Sequence, residues 1–569
     1  MNFESILHIP MSNYAYFSDE STINIVLRAK KDDLKKVIII YGNKYDMRLD
    51  GHRFSEEITN KYSDDLYDYF VFRKKLDDTR FGYVFLLSDG ENKYYYCESG
   101  FSKDYDFSIN HTSRFEYPYN FKDDFLNLPS WVKDCVGYQI FPERFDIGDF
   151  KKDLSYKTLN TLDTPKSNSF YGGDLQGILN HIDYFLNLGI NCIYLNPIFE
   201  SPSNHKYDTV DYFKIDHHFG DNKLFKEFVN KMHANGIKVI LDGVFNHMSD
   251  ENKIFQDVIK KGKKSKYFNF FIIWGDKIDQ ENVNYSCFAS VKNMPRINTE
   301  NDEAIEYICK ICTYWIKEYD IDGWRLDVSD EISFKCLRKM RNEVKKIKKD
   351  AIIIGENWRI PTKYLQGDML DSVMNYKFYS SIIDYLAYNK INSQDFANQI
   401  TRNLFYNNMN ANYMMMNEVE NHDTHRLSTL ANNDKQAYIL ASAITIFYIG
   451  MPFFYYGSEI GIDGGYDPLC RRAMIWDKNL WDMKTYKTIK KLISIRKENE
   501  CLKSGDFKSY SKDDLLYIER ELNNKKLTLI INNTADKKLI KLKKEKIIYS
   551  YNFQEDHFYN KGFLIISSN

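Results

Sequence analysis

Between residue 135 and about residue 497 the chain alternates short apolar runs with longer amphipathic ones, and this alternation restricts the fold more than any other feature. Eight runs have the length and composition of strands: 136–141, 192–197, 238–244, 323–328, 352–355, 372–376, 414–419 and 452–456. Between them, helical periodicity covers 175–188, 224–234, 304–318, 331–348 and 436–448, with a last stretch at 485–497. Strands that each lead into a helix, eight times over, predict a (β/α)8 TIM barrel of the α/β class. A doubly wound sheet also alternates, but it usually opens on a glycine fingerprint that is absent here. The link after the third strand, 248–301, is too long for a plain connection and predicts a small inserted subdomain over the barrel mouth.

The flanks read differently. Residues 1–125 alternate β-type runs (Ile23 to Arg28, Lys36 to Tyr41, Tyr69 to Arg73, Phe81 to Leu87) with turn clusters, predicting an N-terminal β-sandwich. After Cys501 the runs 526–532 and 562–567 predict a C-terminal β domain, so the expected division is 1–125, 126–498 and 499–569. A chain of 569 residues is too long for one core in any case.

Several function classes are excluded early. A formal net charge of −2 gives no global attraction to nucleic acid or anionic membranes. The lysine runs Lys345-Lys346 and Lys541 to Lys546 are expected on solvated faces. The uncharged stretch Ala437 to Gly457 is long enough to span a bilayer, but Gly450 and Pro452 break it, and it reads as a buried helix running into a buried strand. The N-terminus lacks the basic flank and apolar stretch of a signal peptide. Nine cysteines, an odd number without a framework, point to reduced thiols and a cytoplasmic location. Cys309 and Cys312 form a CxxC inside an amphipathic run, where both thiols can face the core as small apolar groups.

In a barrel the working residues sit at the C-terminal ends of the strands. Those ends carry Asp242-Gly-Val-Phe-Asn-His247, Gly323-Trp-Arg-Leu-Asp327, Gly355-Glu356 and Asn421-His-Asp423. One such acid is often only a helix cap; four on one rim point to chemistry. Arg325 and Asp327, two apart on a strand, leave on the same face, and a guanidinium there keeps a nucleophilic carboxylate ionised. Glu356 on the next strand has a negative neighbour, which is expected to raise its pKa and suit it to general acid work. Carboxyls on adjacent strands can sit about 5 to 5.5 Å apart, the separation used for retention of configuration.

These motifs, DGVFNH (242–247), GWRLDV (323–328), GEN (355–357) and NHD (421–423), resemble in order those of the α-amylase family, glycoside hydrolase family 13. Met294-Pro-Arg-Ile-Asn298, YQIFPERF (138–145), NPIFESPSNHKYDT (196–209) and DGGYDPLCRR (463–472) resemble its neopullulanase, cyclomaltodextrinase and maltogenic amylase branch. The resemblance implies Asp327 as nucleophile, Glu356 as acid/base and Asp423 as stabiliser of an oxocarbenium-like transition state. It implies Tyr207, His247, Arg325 and His422 around the attacked glucose, with Asp467 and Arg471 on the next sugar toward the non-reducing end. Trp358 would be a platform on the leaving-group side, with loop packing as its plain alternative, and Asp242 would support Arg325.

The implied activity is hydrolysis of α-1,4 bonds in cyclodextrins, maltodextrins or pullulan, with transglycosylation as a second outcome and no cofactor needed for the chemistry. An oligo-1,6-glucosidase or α-glucosidase of the same family is the rival, disfavoured by the MPRIN segment and the N-terminal β module. A non-catalytic glucan-binding protein on the same fold would be expected to lack one of the acids. The branch also implies a homodimer built through the N-terminal module. It implies a structural calcium site too, whose ligand positions are matched by Asp149, Asp153, Gly172 and Asp174. Ile147 and Lys152 stand at two other ligand positions, where an ammonium could replace the ion. Three further departures stand out: Ser329-Asp330-Glu331 in place of Ala-Asn-Glu, Asn357-Trp358-Arg359 in place of Ile-Trp-His, and Ser458 in place of an Asp before Glu459.

Overall fold

The computed structural model describes residues 1–109, 112–122, 124–542 and 545–568, so Lys543 and Lys544 of the second lysine run lie outside the described residues. Eight parallel strands form the central sheet: β1 (Gly137–Ile140), β2 (Cys192–Leu195), β3 (Lys238–Gly243), β4 (Gly323–Leu326), β5 (Ile352–Gly355), β6 (Ser372–Val373), β7 (Met416–Asn417) and β8 (Met451–Tyr455). Their order is β6-β5-β4-β3-β2-β1-β8-β7, and a parallel bridge between Met374 and Met416 joins the two ends into a barrel. Every residue of β4 and β5 is buried, because parallel strands under a helical layer have no solvent face.

The outer helices follow from their apolar stripes and caps. In the helix Asp302–Tyr319, Asn301 accepts the Ala304 amide as N-cap, while Ile305, Ile308, Cys312, Trp315 and Tyr319 recur on the buried face. Cys309 and Cys312 point inward from this helix, and all nine cysteines carry free thiols. The stretch predicted as one helix over 175–188 is two, Leu175–Leu179 and Ile182–Leu188, interrupted by the polar pair Asn180-His181. β6 and β7 hold two residues each, shorter than the runs that predicted them. Asn375 caps the helix Tyr376–Ile382 directly after β6, and the helix Met409–Met414 runs to within a residue of β7. The uncharged stretch is the buried helix Lys435–Phe447 followed by β8, and no helix among the described residues is long and apolar enough to cross a membrane. Lys345, expected in water, instead turns its ammonium to Asp371 at 2.8 Å.

At the N-terminal rim of β4 the buried Asp322 takes His233 at 2.6 Å, Lys238 at 3.0 Å and Lys348 at 2.9 Å. This charge knot lies at the end of the barrel opposite the candidate site, the end associated with stability. The segment after β3 folds back on the mouth through the helix Lys253–Lys261 and bridges pairing His247 with Arg296 and Phe271 with Ile297.

Residues 15–117 form two antiparallel sheets of four and six strands, with Ile23, Ile25, Leu27, Phe70 and Phe72 of one facing Val37, Ile39, Tyr83, Phe85 and Leu87 of the other in a shared core. This sandwich docks on the barrel through Arg402, 2.9 Å from Asp64, and through Tyr69 stacked on Phe405 at 3.9 Å. A six-stranded antiparallel sheet closes the chain over 506–568.

Candidate active site

Four strand ends deliver the acids. Asp242 is the last residue but one of β3, and β4 places Arg325 beside it; Asp327 follows β4 directly, and Glu356 follows β5. The buried Arg325 guanidinium joins them: Nη1 lies 2.9 Å from Asp242 and 3.0 Å from Asp327 Oδ1, and Nη2 lies 2.8 Å from Glu356 Oε2. Asp242 also accepts the Tyr194 hydroxyl, so it orients the arginine while itself held in place.

The backbone beyond Asp327 is strained. Val328, a β-branched residue, sits in the left-handed region at φ 45°, and in that conformation its amide donates to Glu356 Oε2 at 2.9 Å. Ser329 then donates its hydroxyl to the Glu356 carbonyl at 2.7 Å. The approach is close enough that a Cβ at Gly355 would lie 2.5 Å from Ser329 Oγ. The serine at this departure therefore clamps the segment carrying Glu356 to the one carrying Asp327.

Burial pushes the Asp327 carboxyl well above the usual range for an aspartate; the Glu356 charge pushes the same way and Arg325 opposes. Arg325 thus acts in the direction expected of a guanidinium that keeps a nucleophilic carboxylate ionised.

Asp423, after β7, is held differently. Burial raises its pKa, but the hydrogen bond from His422 and the charges of Arg471 and Arg325 more than reverse this and leave it below the ordinary carboxylate range. Arg471 forks between Asp423 at 3.0 Å and Asp467 at 3.1 Å. His422 is fixed at both nitrogens: Gln139 Nε2 donates to Nδ1 at 2.8 Å, leaving the proton on Nε2, which lies 3.0 Å from Asp423 and 2.6 Å from the Tyr207 hydroxyl. Tyr207 lies parallel to His422, 5° between the ring planes. His247 is buried against Phe288 with its pKa lowered to about 3 by burial, and its Nε2 has no hydrogen-bond partner among the described residues, an orphan that a sugar hydroxyl would satisfy.

Trp358 donates its indole N–H to Glu356 Oε1 at 3.0 Å and stacks on Tyr376 at 3.8 Å, yet 42% of it remains exposed, as suits a platform. The structure thus gathers Asp327, Glu356, Asp423, Tyr207, His247, Arg325, His422, Trp358, Asp467 and Arg471 on one rim. It adds Tyr194, Tyr376 and Glu418, which motif reading passed over, and gives partners to Gln139 and Asn421, which lay inside the motifs without a role of their own. Gln139 left a signal, a polar residue inside an otherwise apolar strand; Tyr376 and Glu418 left none.

The predicted calcium positions lie apart from this rim. Lys152 Nζ stands 2.8 Å from each of Asp174 Oδ2, Gly172 O and His218 O. Asp149 turns its carboxylate to the Lys151 amide, and Asp153 turns its own to Ser155. Calcium takes six to eight oxygens; here an ammonium stands among the carbonyls and two of the four carboxyl or carbonyl positions face elsewhere. The set does not fit the ion.

Two other departures find partners. Ser458 lies between Arg426 and Glu420, accepting from Arg426 Nη1 at 2.6 Å and donating to Glu420. Glu420 thereby supplies the negative charge that an Asp at 458 would have given Arg426. Arg296 of the MPRIN segment reaches the Glu331 carbonyl at 2.7 Å, tying the inserted subdomain to the altered turn after Asp327.

A family model described as alpha amylase, catalytic domain, matches residues 139–481, and one described as alpha amylase, N-terminal ig-like domain, matches 1–120. The chain belongs to the alpha-amylase family. Among relatives of this alpha-amylase family member, a cyclomaltodextrinase of Thermoanaerobacter pseudethanolicus is 42% identical over 542 residues, 94% of this chain and 93% of its own. A maltogenic alpha-amylase of Bacillus acidopullulyticus is 37% identical over 541 residues, 94% of this chain and 92% of its own. A solved structure titled cyclomaltodextrinase superimposes with a TM-score of 0.93 at 34% identity, covering 100% of both chains. By family the protein is a glycoside hydrolase with a (β/α)8 catalytic barrel, as the motifs implied.

Proposed function

We propose that the protein hydrolyses α-1,4-glucosidic bonds of cyclodextrins and short maltodextrins with retention of configuration. The observation that carries this is the single guanidinium of Arg325 in contact with both Asp327 and Glu356. Carboxyls bridged in this way belong to the close, retaining arrangement of about 5 to 5.5 Å rather than the wider inverting one that holds a water between them. Glu356 protonates the glycosidic oxygen while Asp327 attacks the anomeric carbon, giving a β-glucosyl ester. Glu356 then takes a proton from water, or from a sugar hydroxyl, and an α product leaves. Asp423 stabilises the developing positive charge and, with His422, grips the ring hydroxyls; Tyr207 and Trp358 offer faces to the sugars on either side of the bond.

The names of the relatives support the substrate class, and the N-terminal module supports a homodimer as the working unit. Nine free thiols support a cytoplasmic location. Initial rates on β-cyclodextrin, maltotriose, pullulan and starch at equal sugar concentration test the reading. Rapid opening of β-cyclodextrin with slow attack on starch is expected. Activity on isomaltose without activity on maltose would replace it with the 1,6-glucosidase reading.

A further inference from the structure

Beneath the rim lies a carboxyl that the mechanism does not use. Glu418 follows β7 directly and is buried, and its Oε1 accepts from Asn421 Nδ2 at 2.7 Å. Asn421 Oδ1 accepts the backbone amide of Asp423 at 2.9 Å. An amide N–H can only donate, so it fixes which way the Asn421 side chain points and forces Nδ2 toward Glu418. The remaining Nδ2 hydrogen goes to the Tyr376 hydroxyl at 3.2 Å. Tyr376 is the ring on which Trp358 stacks, and Trp358 in turn donates to Glu356.

We propose that Glu418 is a positioning residue of the reaction: through Asn421 it fixes the backbone of Asp423, and through Tyr376 the platform that orients Trp358 on Glu356. The groups facing it are Asn421 and Asp423 on its own segment, Arg325 from β4, Glu356 from β5, and Tyr376 and Tyr379 from the helix after β6. Burial pushes the Glu418 pKa up to about 8; Asn421 and Arg325 oppose this, while Asp423 and Glu356 add to it. At neutral pH it is therefore an uncharged acid whose carbonyl oxygen accepts from Asn421. Ionisation would set a further negative charge beside Asp423 and Glu356, whose charges Arg471 and Arg325 already oppose.

The inference rests on the reading of Asp327, Glu356 and Asp423 as the reacting carboxylates, and it fails separately from that reading. Retained turnover in Asp327→Asn removes the reading; the outcomes below remove only the role of Glu418. The measurement is kcat and KM on β-cyclodextrin for Glu418→Ala and Glu418→Gln. Loss of the anchor in Glu418→Ala lowers kcat about 10- to 100-fold, the scale of a misplaced catalytic group, with a smaller change in KM. Glu418→Gln, which keeps the acceptor and cannot ionise, recovers most of that loss. Relative to wild type its kcat rises about threefold or more between pH 6.5 and 9, a ratio in which any shared limb of the profile cancels.

Stability gives an independent readout that survives poor expression of the alanine variant. A carboxyl with a raised folded pKa contributes stability that is fully present below its unfolded pKa and is lost as pH rises through the folded value. Hence the Tm of Glu418→Gln exceeds wild type by a margin that grows from about pH 4.5 to about pH 8. The role is overturned if the glutamine variant loses as much kcat as the alanine variant, if its kcat ratio to wild type is flat with pH, or if the Tm margin does not change.

Discussion

Arg325 touches Asp242, Asp327 and Glu356 at once, so a charge altered at any one of these positions is felt at the other two. Asp327→Asn removes the nucleophile and Glu356→Gln the proton donor; each is expected to lower kcat on β-cyclodextrin at least about 10³-fold with the melting transition intact. Near-wild-type rates in either would contradict the assignment. Arg325→Lys keeps the charge and loses the fork, and a compact ammonium cannot bridge three carboxylates in the same geometry. A fall of about 10²-fold in kcat is expected, read at fixed pH against the wild type. These residues were legible in sequence because each lies within one residue of the C-terminal end of a strand. Val328 was not legible as strained, since its left-handed backbone is imposed by the turn that joins Asp327 to Ser329. Glu418 was hidden for a similar reason: a carboxylate next to a short strand looks like any solvated acid until its burial is known.

At the scale of elements, two charge clusters make separate predictions. The loop holding Asp174 is closed by the Lys152 ammonium on Gly172 and His218 carbonyls. Treatment with excess chelator should therefore leave Tm unchanged, whereas Lys152→Met should lower it by leaving Asp174 without its cation. A chelator-induced fall reversed by calcium would contradict this. At the opposite rim, burial raises the pKa of Asp322, but His233, Lys348 and the Val239 amide reverse it to below the ordinary range. A lowered folded pKa contributes stability present above the unfolded value and lost as pH falls through the folded one, so the knot weakens below about pH 4. Asp322→Asn is expected to lose about 3 kcal/mol in urea unfolding at pH 7, at the low end for a broken buried pair because Lys238 and Lys348 keep part of their side chains in water. The eight strands were readable from apolar runs, yet β6 and β7 came out short. Run length reports burial, and in 372–376 and 414–419 burial continues into a helix or a turn after the ladder ends.

Across the whole molecule, three cores are held around one rim, and the flanking sheets act on the barrel by contact. The sandwich meets the barrel helices through Asp64–Arg402 and Tyr69–Phe405, contacts no local pattern could pair, since more than 300 residues separate the partners. Light scattering is expected to give twice the chain mass for a homodimer, and a monomer that opens cyclodextrin at full rate would show that the working unit is a single chain. In the proposed reaction Asp327 and Glu356, drawn together by Arg325, act in two inverting steps whose sum is retention. Proton NMR of the first product released from β-cyclodextrin, recorded before mutarotation, tests it most directly. The α anomer at the new reducing end is expected; the β anomer appearing first would show inversion and exclude the two-step reaction.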